Sequence, residues 1–235
     1  MKYLCSIANR IVSVDAEYPL LISRIKKYQI SSNQQPDFSI SIPLSERDAF
    51  LHEHPEASLE SIEYMLTGKQ FFQKILQDHA FFLHASAVSV DGKAYLFSAP
   101  SGTGKSTHTS FYLKVFPQSF LINDDKPILR KEGDAFIVYG SPWSGKHDLS
   151  TNVGVPLQAI CFLQRGNNEI RQLSTLESLK RIFSQTLLPK DRQEYDLFHQ
   201  TVSSLLSQYV CYEAKVNMSK EAVQMTRETM LGEKQ

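Results

Sequence analysis

The hydrophobic positions of the chain recur with two different periods, and the changes of period outline its elements. KYLCSIANRIVSVD (Lys2–Asp15) and PDFSISIPL (Pro36–Leu44) are strand-like runs rich in β-branched and aromatic residues, and ISSNQQPD between them is loop chemistry. Ser45-Glu-Arg-Asp opens a helical stretch. SLESIEYMLTGKQFFQKILQD then carries Leu59, Ile62, Met65, Leu66, Phe72, Ile75 and Leu76 at the spacing of an amphipathic helix, with Ser58 as its N-cap and Gly68 weakening its middle. AFFLHASAVSV (Ala80–Val90) and KAYLF (Lys93–Phe97) read as two strands joined by Asp91-Gly92 in a tight hairpin. THTSFYLKVF predicts a helix of about three turns, and SFLINDDKPIL a short strand ending in Asn123-Asp124-Asp125.

Further on, AFIVYG and PLQAICFLQR are strands, the second buried, and Arg165-Gly-Asn-Asn begins a turn. TLESLKRIFSQTLL and the segment Asp191–Leu206 are helical, the latter with Leu197, Val202, Leu205 and Leu206 on one face. YVCYEAKV closes the sheet, SKEAVQMTRETML is a final amphipathic helix, and GEKQ is a polar tail. These elements divide at Leu44 into a small N-terminal β unit (1–44) and a larger domain (45–235).

Composition narrows the function classes. The 235 residues, 42% of them hydrophobic, suffice for one well-filled domain with an accessory unit. Lys and Arg total 25, as do Asp and Glu. That balance gives no global electrostatic case for nucleic acid or an anionic membrane as partner. No apolar run approaches the ~18 residues of a membrane span, and MKYLCSIANR lacks a signal-peptide pattern. Cys5, Cys161 and Cys211, scattered and odd in number, suit free thiols in a reducing cytoplasm.

The chemistry concentrates in SAPSGTGKST (Ser98–Thr107), which follows a strand and opens a helix. A phosphate-binding loop of the form G-x-x-x-x-G-K-[ST] needs glycines for close backbone approach, a lysine for the β and γ phosphates and a hydroxyl for Mg²⁺. Ser101, Gly102, Thr103, Gly104, Lys105, Ser106 and Thr107 meet those needs. Ala99 stands where the first glycine belongs, and Pro100 stiffens the exit from the strand. Asp124 and Asp125 follow at a strand end. One acid there would hold Mg²⁺ and the other accept a proton from an attacking hydroxyl. Asp124 is the preferred base and Asp125 the preferred metal partner with Ser106, with the reverse order open.

LHASAV, the hairpin, SGTGKST and INDD together resemble the core of HPr kinase/phosphorylase, whose nucleotide fold is shared with phosphoenolpyruvate carboxykinase. The resemblance runs from Phe81 to Leu129. It implies an α/β P-loop kinase core with a mixed, largely antiparallel sheet, extended here by the N-terminal β unit and flanking helices. It implies ATP and Mg²⁺ as cofactors, a hydroxyl-bearing acceptor such as a serine of a protein or peptide, and a homo-oligomer. His84 matches the histidine that this family carries before the loop. The family's arginine- and glycine-rich C-terminal region has no counterpart, which leaves the acceptor and a reverse phosphorylase reaction open. A small-molecule or peptide kinase, a carboxykinase-like enzyme and a non-catalytic ATP-binding regulator are the alternatives.

Three other features have two readings each. YGSPWSGKHDLSTN (Tyr139–Asn152) is either a mobile basic loop, bringing Lys146 and His147 to the nucleotide, or a surface connection with Trp143 in a minor cluster. His84 on an alternating strand is a site residue or a satisfied core histidine. Arg165 meets phosphate or substrate, or is simply solvated. His79, His108, His147 and His199 show no metal-ligand spacing with the cysteines.

Overall fold

The computed structural model describes residues 1–232; the tail expected at GEKQ lies, past Gly232, outside the described residues. The chain opens with a hairpin, in which β1 (Lys2–Ile7) and β2 (Arg10–Asp15) pair antiparallel with Ile7 opposite Arg10. Ala8 and Asn9 make the turn at φ 50° and 57°, a left-handed pair that matches the twist of the strands. β3 (Phe38–Ile40) adds parallel to β2. Between β2 and β3 lies α1 (Pro19–Ile25), which the sequence pattern did not predict. A helix this short has no room for a periodic stripe, and Pro19 at its first position is its one signal.

α2 (Leu44–Glu53) and α3 (Leu59–Ile75) follow. α3 begins as predicted, the Ser58 side chain accepting from the Ser61 N–H, and buries Ile62, Leu66, Phe72 and Ile75. Leu59 and Met65 of the predicted stripe stay exposed. Gly68 has a packing reason, because a Cβ there would lie 2.7 Å from Cδ1 of Trp143. The helix trades propensity for close approach of the indole.

The large sheet comprises β4 (Ala80–Phe82), β5 (Ala85–Val90), β6 (Lys93–Ser98), β7 (Phe120–Asp125), β8 (Ile128–Glu132), β9 (Ala135–Tyr139), β10 (Gly154–Arg165), β11 (Glu169–Gln172) and β12 (Cys211–Val216). Its order is β4-β8-β9-β10-β6-β5-β7, with β12 paired to β10 and β11 to β12. Within this sheet, only β10–β6 and β10–β12 are parallel pairs among the described residues. The fold is thus α/β with a mixed sheet in which antiparallel pairs predominate. The Asp91-Gly92 hairpin forms as predicted, with Val90 opposite Lys93 and φ of 52° and 72° in the turn.

Two helical layers cover this sheet. α5 (Thr175–Phe183) and α6 (Arg192–Leu206) bring Ile182, Phe198, Val202 and Leu205 against Leu83, Ala85, Leu96 and Phe162. On the other side, α4 (Lys105–Val115) and α7 (Lys220–Leu231) bring Tyr112, Val223 and Met230 against Val88, Tyr95 and Cys161. β5 is buried along its whole length, as a strand covered on both faces must be. A third cluster joins Cys5, Val12, Leu21 and Ile25 of the N-terminal segment to Phe71, Phe72, Ile128 and Trp143.

One expectation is corrected here. Ala80–Val90 is not a single strand: β4 pairs with β8, β5 with β6 and β7, and the chain bends at Leu83-His84 between them. His84 therefore occupies the bend and not an alternating strand position. The apolar run hid the break because both halves are buried against different partners.

Candidate active site

β5 organises the site. It runs antiparallel to both neighbours, with Ala85 opposite Ser98 of β6 and opposite Asp125 of β7. β6 and β7 therefore point the same way, and their carboxyl ends flank the amino end of β5. The glycine-rich segment leaves β6, the acid pair closes β7 and His84 precedes β5, so three separate sequence signals meet at one end of the sheet. β10 runs parallel to β6, and β12 to β10, which brings Arg165 and the segment after Val216 to the same end. Open α/β sheets hold ligands in the crevice outside such carboxyl ends.

The loop Ala99–Gly104 takes the shape its glycines permit. Gly102 and Gly104 have φ of 76° and 113°, values costly for any side chain. Ala99 is not a positive-φ residue, and its methyl is buried in the cluster of Val88, Phe97 and Tyr112. Neither backbone nor space asks for glycine there. Arg165 grips the loop from outside, donating from Nη2 to the Gly102 carbonyl at 2.9 Å and from Nε to that of Thr103 at 3.3 Å. Met218 closes over the top, where a Cβ on Gly104 would lie 2.1 Å from its Cε. The first N–H groups of α4 lack helical partners and form a natural seat for an anion.

Lys105 is 8% exposed and donates from Nζ to the Ala99 carbonyl at 2.8 Å, across the loop. Burial pulls its pKa below the ordinary lysine value, while Asp125 and Asp124 oppose the shift. Ser106 donates from Oγ to Oδ1 of Asp124 at 3.0 Å. Asp124, 9% exposed, also donates its N–H to the Leu149 carbonyl at 2.9 Å. The acid pair is therefore no solvated turn. Asn123 is fully buried, donating to the Ser141 carbonyl at 3.0 Å and accepting from the Lys126 N–H at 2.8 Å.

Those bonds turn the chain sharply after β7, and Asp125 takes φ 137°. A non-glycine residue in that region stores strain, a frequent property of functional sites. Its Oδ1 lies 3.3 Å from Nε2 of His84, and Oδ2 pairs with Lys126. Burial pushes the Asp125 pKa up, but the hydrogen bond from His84 and the charge and hydrogen bond of Lys126 outweigh it and hold it at about 2. The other ring nitrogen of His84, Nδ1, lies 3.2 Å from Oε1 of Gln185, and the His84 N–H donates to the Gln185 carbonyl at 2.7 Å. His84 is half-buried at the cleft wall and does not sit in the core.

The segment 139–152 is anchored, not free. Gly140–Ser144 is buried, and Trp143 stacks among Phe71 and Phe72 while Nε1 donates to Oγ1 of Thr67 at 3.3 Å. Only the tip Gly145–Leu149 stands at the cleft. Gly145 has φ 74°, and a Cβ there would lie 3.0 Å from Cβ of Asp125. Lys146 and His147 line the same open cleft, about 430 Å³ in volume, as His84, Ser101, Gly102, Gly104, Lys105, Ser106, Thr107, Asp124, Asp125 and Arg165. Thr103 faces the outer side of the loop, with its carbonyl on Arg165. Gln185 and Met218 were not foreseen: Gln185 lies within TLESLKRIFSQTLL, read as helical to its end although α5 stops at Phe183 and leaves Gln185 in the connection, and Met218 lies in a connector, so neither carries a motif.

Ser106 and Asp124 supply adjacent hard oxygen donors, the chemistry that suits Mg²⁺. Among the described residues no three His, Cys, Asp or Glu gather as a metal cage. Mg²⁺ held by one or two side chains and substrate phosphates needs none.

The fold shows a likeness to the HPr(Ser) kinase/phosphatase from Coxiella burnetii: TM-score 0.40 and 12% identity, over 64% of this chain and 97% of that one. No protein-family model matches the sequence, and no curated protein does. So distant a likeness carries no weight, and the site stands on its own geometry. Among the described residues no helix is long and apolar enough to cross a membrane.

Proposed function

We propose that the protein is an ATP-dependent phosphotransferase that moves the γ-phosphate to a hydroxyl, such as a serine of a protein or peptide. The observation that carries this reading is the 3.0 Å bond from Ser106 to Asp124. It ties the first turn after a glycine-rich loop to an acid at a neighbouring strand end, with Lys105 buried beside both. A surface turn has no use for that arrangement.

In this reading the N–H groups at the start of α4 and the Lys105 ammonium receive the phosphates. Ser106 and Asp124 would hold Mg²⁺, which neutralises charge on the phosphate oxygens. The geometry favours Asp125, not Asp124, as the partner of the acceptor hydroxyl, reversing the order preferred from sequence. Each carboxylate oxygen accepts more than one hydrogen bond, so Asp125 can orient a hydroxyl while His84 and Lys126 keep it ionised. As the acceptor oxygen bonds to phosphorus and the bond from phosphorus to the bridging oxygen of ADP breaks, the hydroxyl proton passes to Asp125. A loose transition state asks for little base strength at that step, which suits a carboxylate of low pKa.

Isothermal titration with ATP and Mg²⁺, followed by an ADP assay with candidate acceptors, tests this. Lys105→Ala is expected to weaken ATP binding by at least about tenfold. Asp125→Asn should keep binding and slow ADP release by about 10²–10³. A wild-type protein without measurable ATP binding, or a Lys105→Ala protein that binds equally well, would sink the reading.

A further inference from the structure

The basic tip of the 139–152 segment is tied to the N-terminal segment at Asp148, with further bonds at Ser144 and Ser150 on either side of it. Ser144 donates from Oγ to Oδ1 of Asp148 at 3.1 Å, closing the tip on itself. From α1, the buried Arg24 reaches the same place: Nη1 donates to Ser144 Oγ and to the Tyr64 hydroxyl, both at 3.3 Å, and stands 4.0 Å from Asp148 Oδ1. Just beyond α1, Lys27 donates from Nζ to the Asp148 carbonyl at 2.9 Å and lies 2.9 Å from Oδ2. The fully buried Tyr28 donates to Ser150 Oγ at 3.1 Å. Asp148 itself has φ 50°, so the tip is bent where these groups grip it.

Lys146 and His147 are next to Asp148 in sequence yet line the cleft. An unpaired carboxylate one or two residues away would draw the Lys146 ammonium onto itself and offer the His147 ring a hydrogen-bond acceptor, since opposite charges a few ångströms apart attract at any exposed site. Arg24 and Lys27 satisfy Asp148 from the far side. We propose that Arg24 and Lys27 are positioning residues: by occupying Asp148 they keep Lys146 and His147 turned to the cleft, where the Lys146 ammonium and the N–H of the His147 ring meet the nucleotide phosphates. The N-terminal segment is then part of the site, though none of its residues touches the cleft. This rests on the phosphotransferase reading.

Arg24→Gln/Lys27→Gln is compared with wild type and with the same variant carrying Asp148→Asn. The double variant should bind ATP with Mg²⁺ about tenfold more weakly, the size of one charge-assisted hydrogen bond. Adding Asp148→Asn should recover at least half of that loss, because the competing carboxylate is gone. A merely structural role predicts the opposite, a further loss, and that result would overturn the proposal. Lys27→Gln alone, at the exposed edge, serves if the buried Arg24 proves necessary for folding; it should show a smaller loss with the same rescue. Hydrogen exchange of the Gly145–Leu149 amides without nucleotide is read in parallel and should quicken in the double variant. Unchanged exchange also overturns the proposal. If the wild type binds no ATP, the phosphotransferase reading falls, and the exchange rates still decide whether the clamp exists.

Discussion

Ala99 replaces a glycine of the loop pattern, yet a glycine there would remove a buried methyl without relieving any strained backbone. Ala99→Gly is expected to cost about 0.5–1 kcal/mol of stability and to leave ATP affinity unchanged; denaturant titration and calorimetry check the two halves. A gain in affinity would mean that the loop does need its first glycine. His108 offers a second test. It is fully buried, with Nε2 3.3 Å from Thr226 Oγ1, and burial lowers its pKa to about 4 from an ordinary 6.5. The folded state then resists protonation that the unfolded chain accepts. Stability is full above pH 6.5 and falls toward pH 4, by on the order of 3 kcal/mol. Asp125 acts in a lower window, losing its contribution as pH falls from about 4 toward 2. Urea denaturation across pH should show both, with His108→Gln flattening the upper slope and Asp125→Asn the lower. At this scale the sequence was most legible: SGTGKST and the acid pair come to one cleft as their spacing implied. Gln185 was not, because its contact with His84 joins segments far apart in the chain.

Periodic elements were readable where one period ran long enough. α3 starts at the cap its sequence advertises, Ser58, and α6 fills the segment Asp191–Leu206 read as helical, with Asp191 as its cap. Elements that depend on partners were not: α1 is too short for a stripe, and β4 and β5 separate only because β8 claims the first and β6 and β7 the second. Gly68 shows how tertiary packing overrides propensity. In an exposed helix Gly→Ala stabilises by about 1 kcal/mol. In α3 the added methyl meets the Trp143 ring at 2.7 Å with Phe71 behind it. Gly68→Ala is therefore expected to destabilise, by about 1–3 kcal/mol for an overpacked core, with a change in Trp143 fluorescence. A stabilised variant would mean that the indole can move aside freely.

The whole molecule buries a cluster that crosses the boundary read at Leu44. Val12, Leu21 and Ile25 on one side meet Phe71, Ile128 and Trp143 on the other. Removing residues 1–44 would strip that cover from three large side chains and leave them in water. We expect the truncated chain to aggregate, and the full chain to unfold in one transition. Trp143, the sole tryptophan, lies in that cluster, so its fluorescence and the far-ultraviolet circular dichroism should change at the same urea concentration. Two separated midpoints would show independently folding units.

Met218, which packs on Gly104, belongs to the connector between β12 and α7. During synthesis the glycine-rich loop leaves the ribosome long before this brace is made, and the parallel partner β12 arrives equally late. The nascent chain therefore carries the whole glycine-rich motif before the cleft around it is complete. On the proposed phosphotransferase reading, completion of the last strand and helix would switch on nucleotide affinity, and a premature stop anywhere before β12 would yield a chain without it.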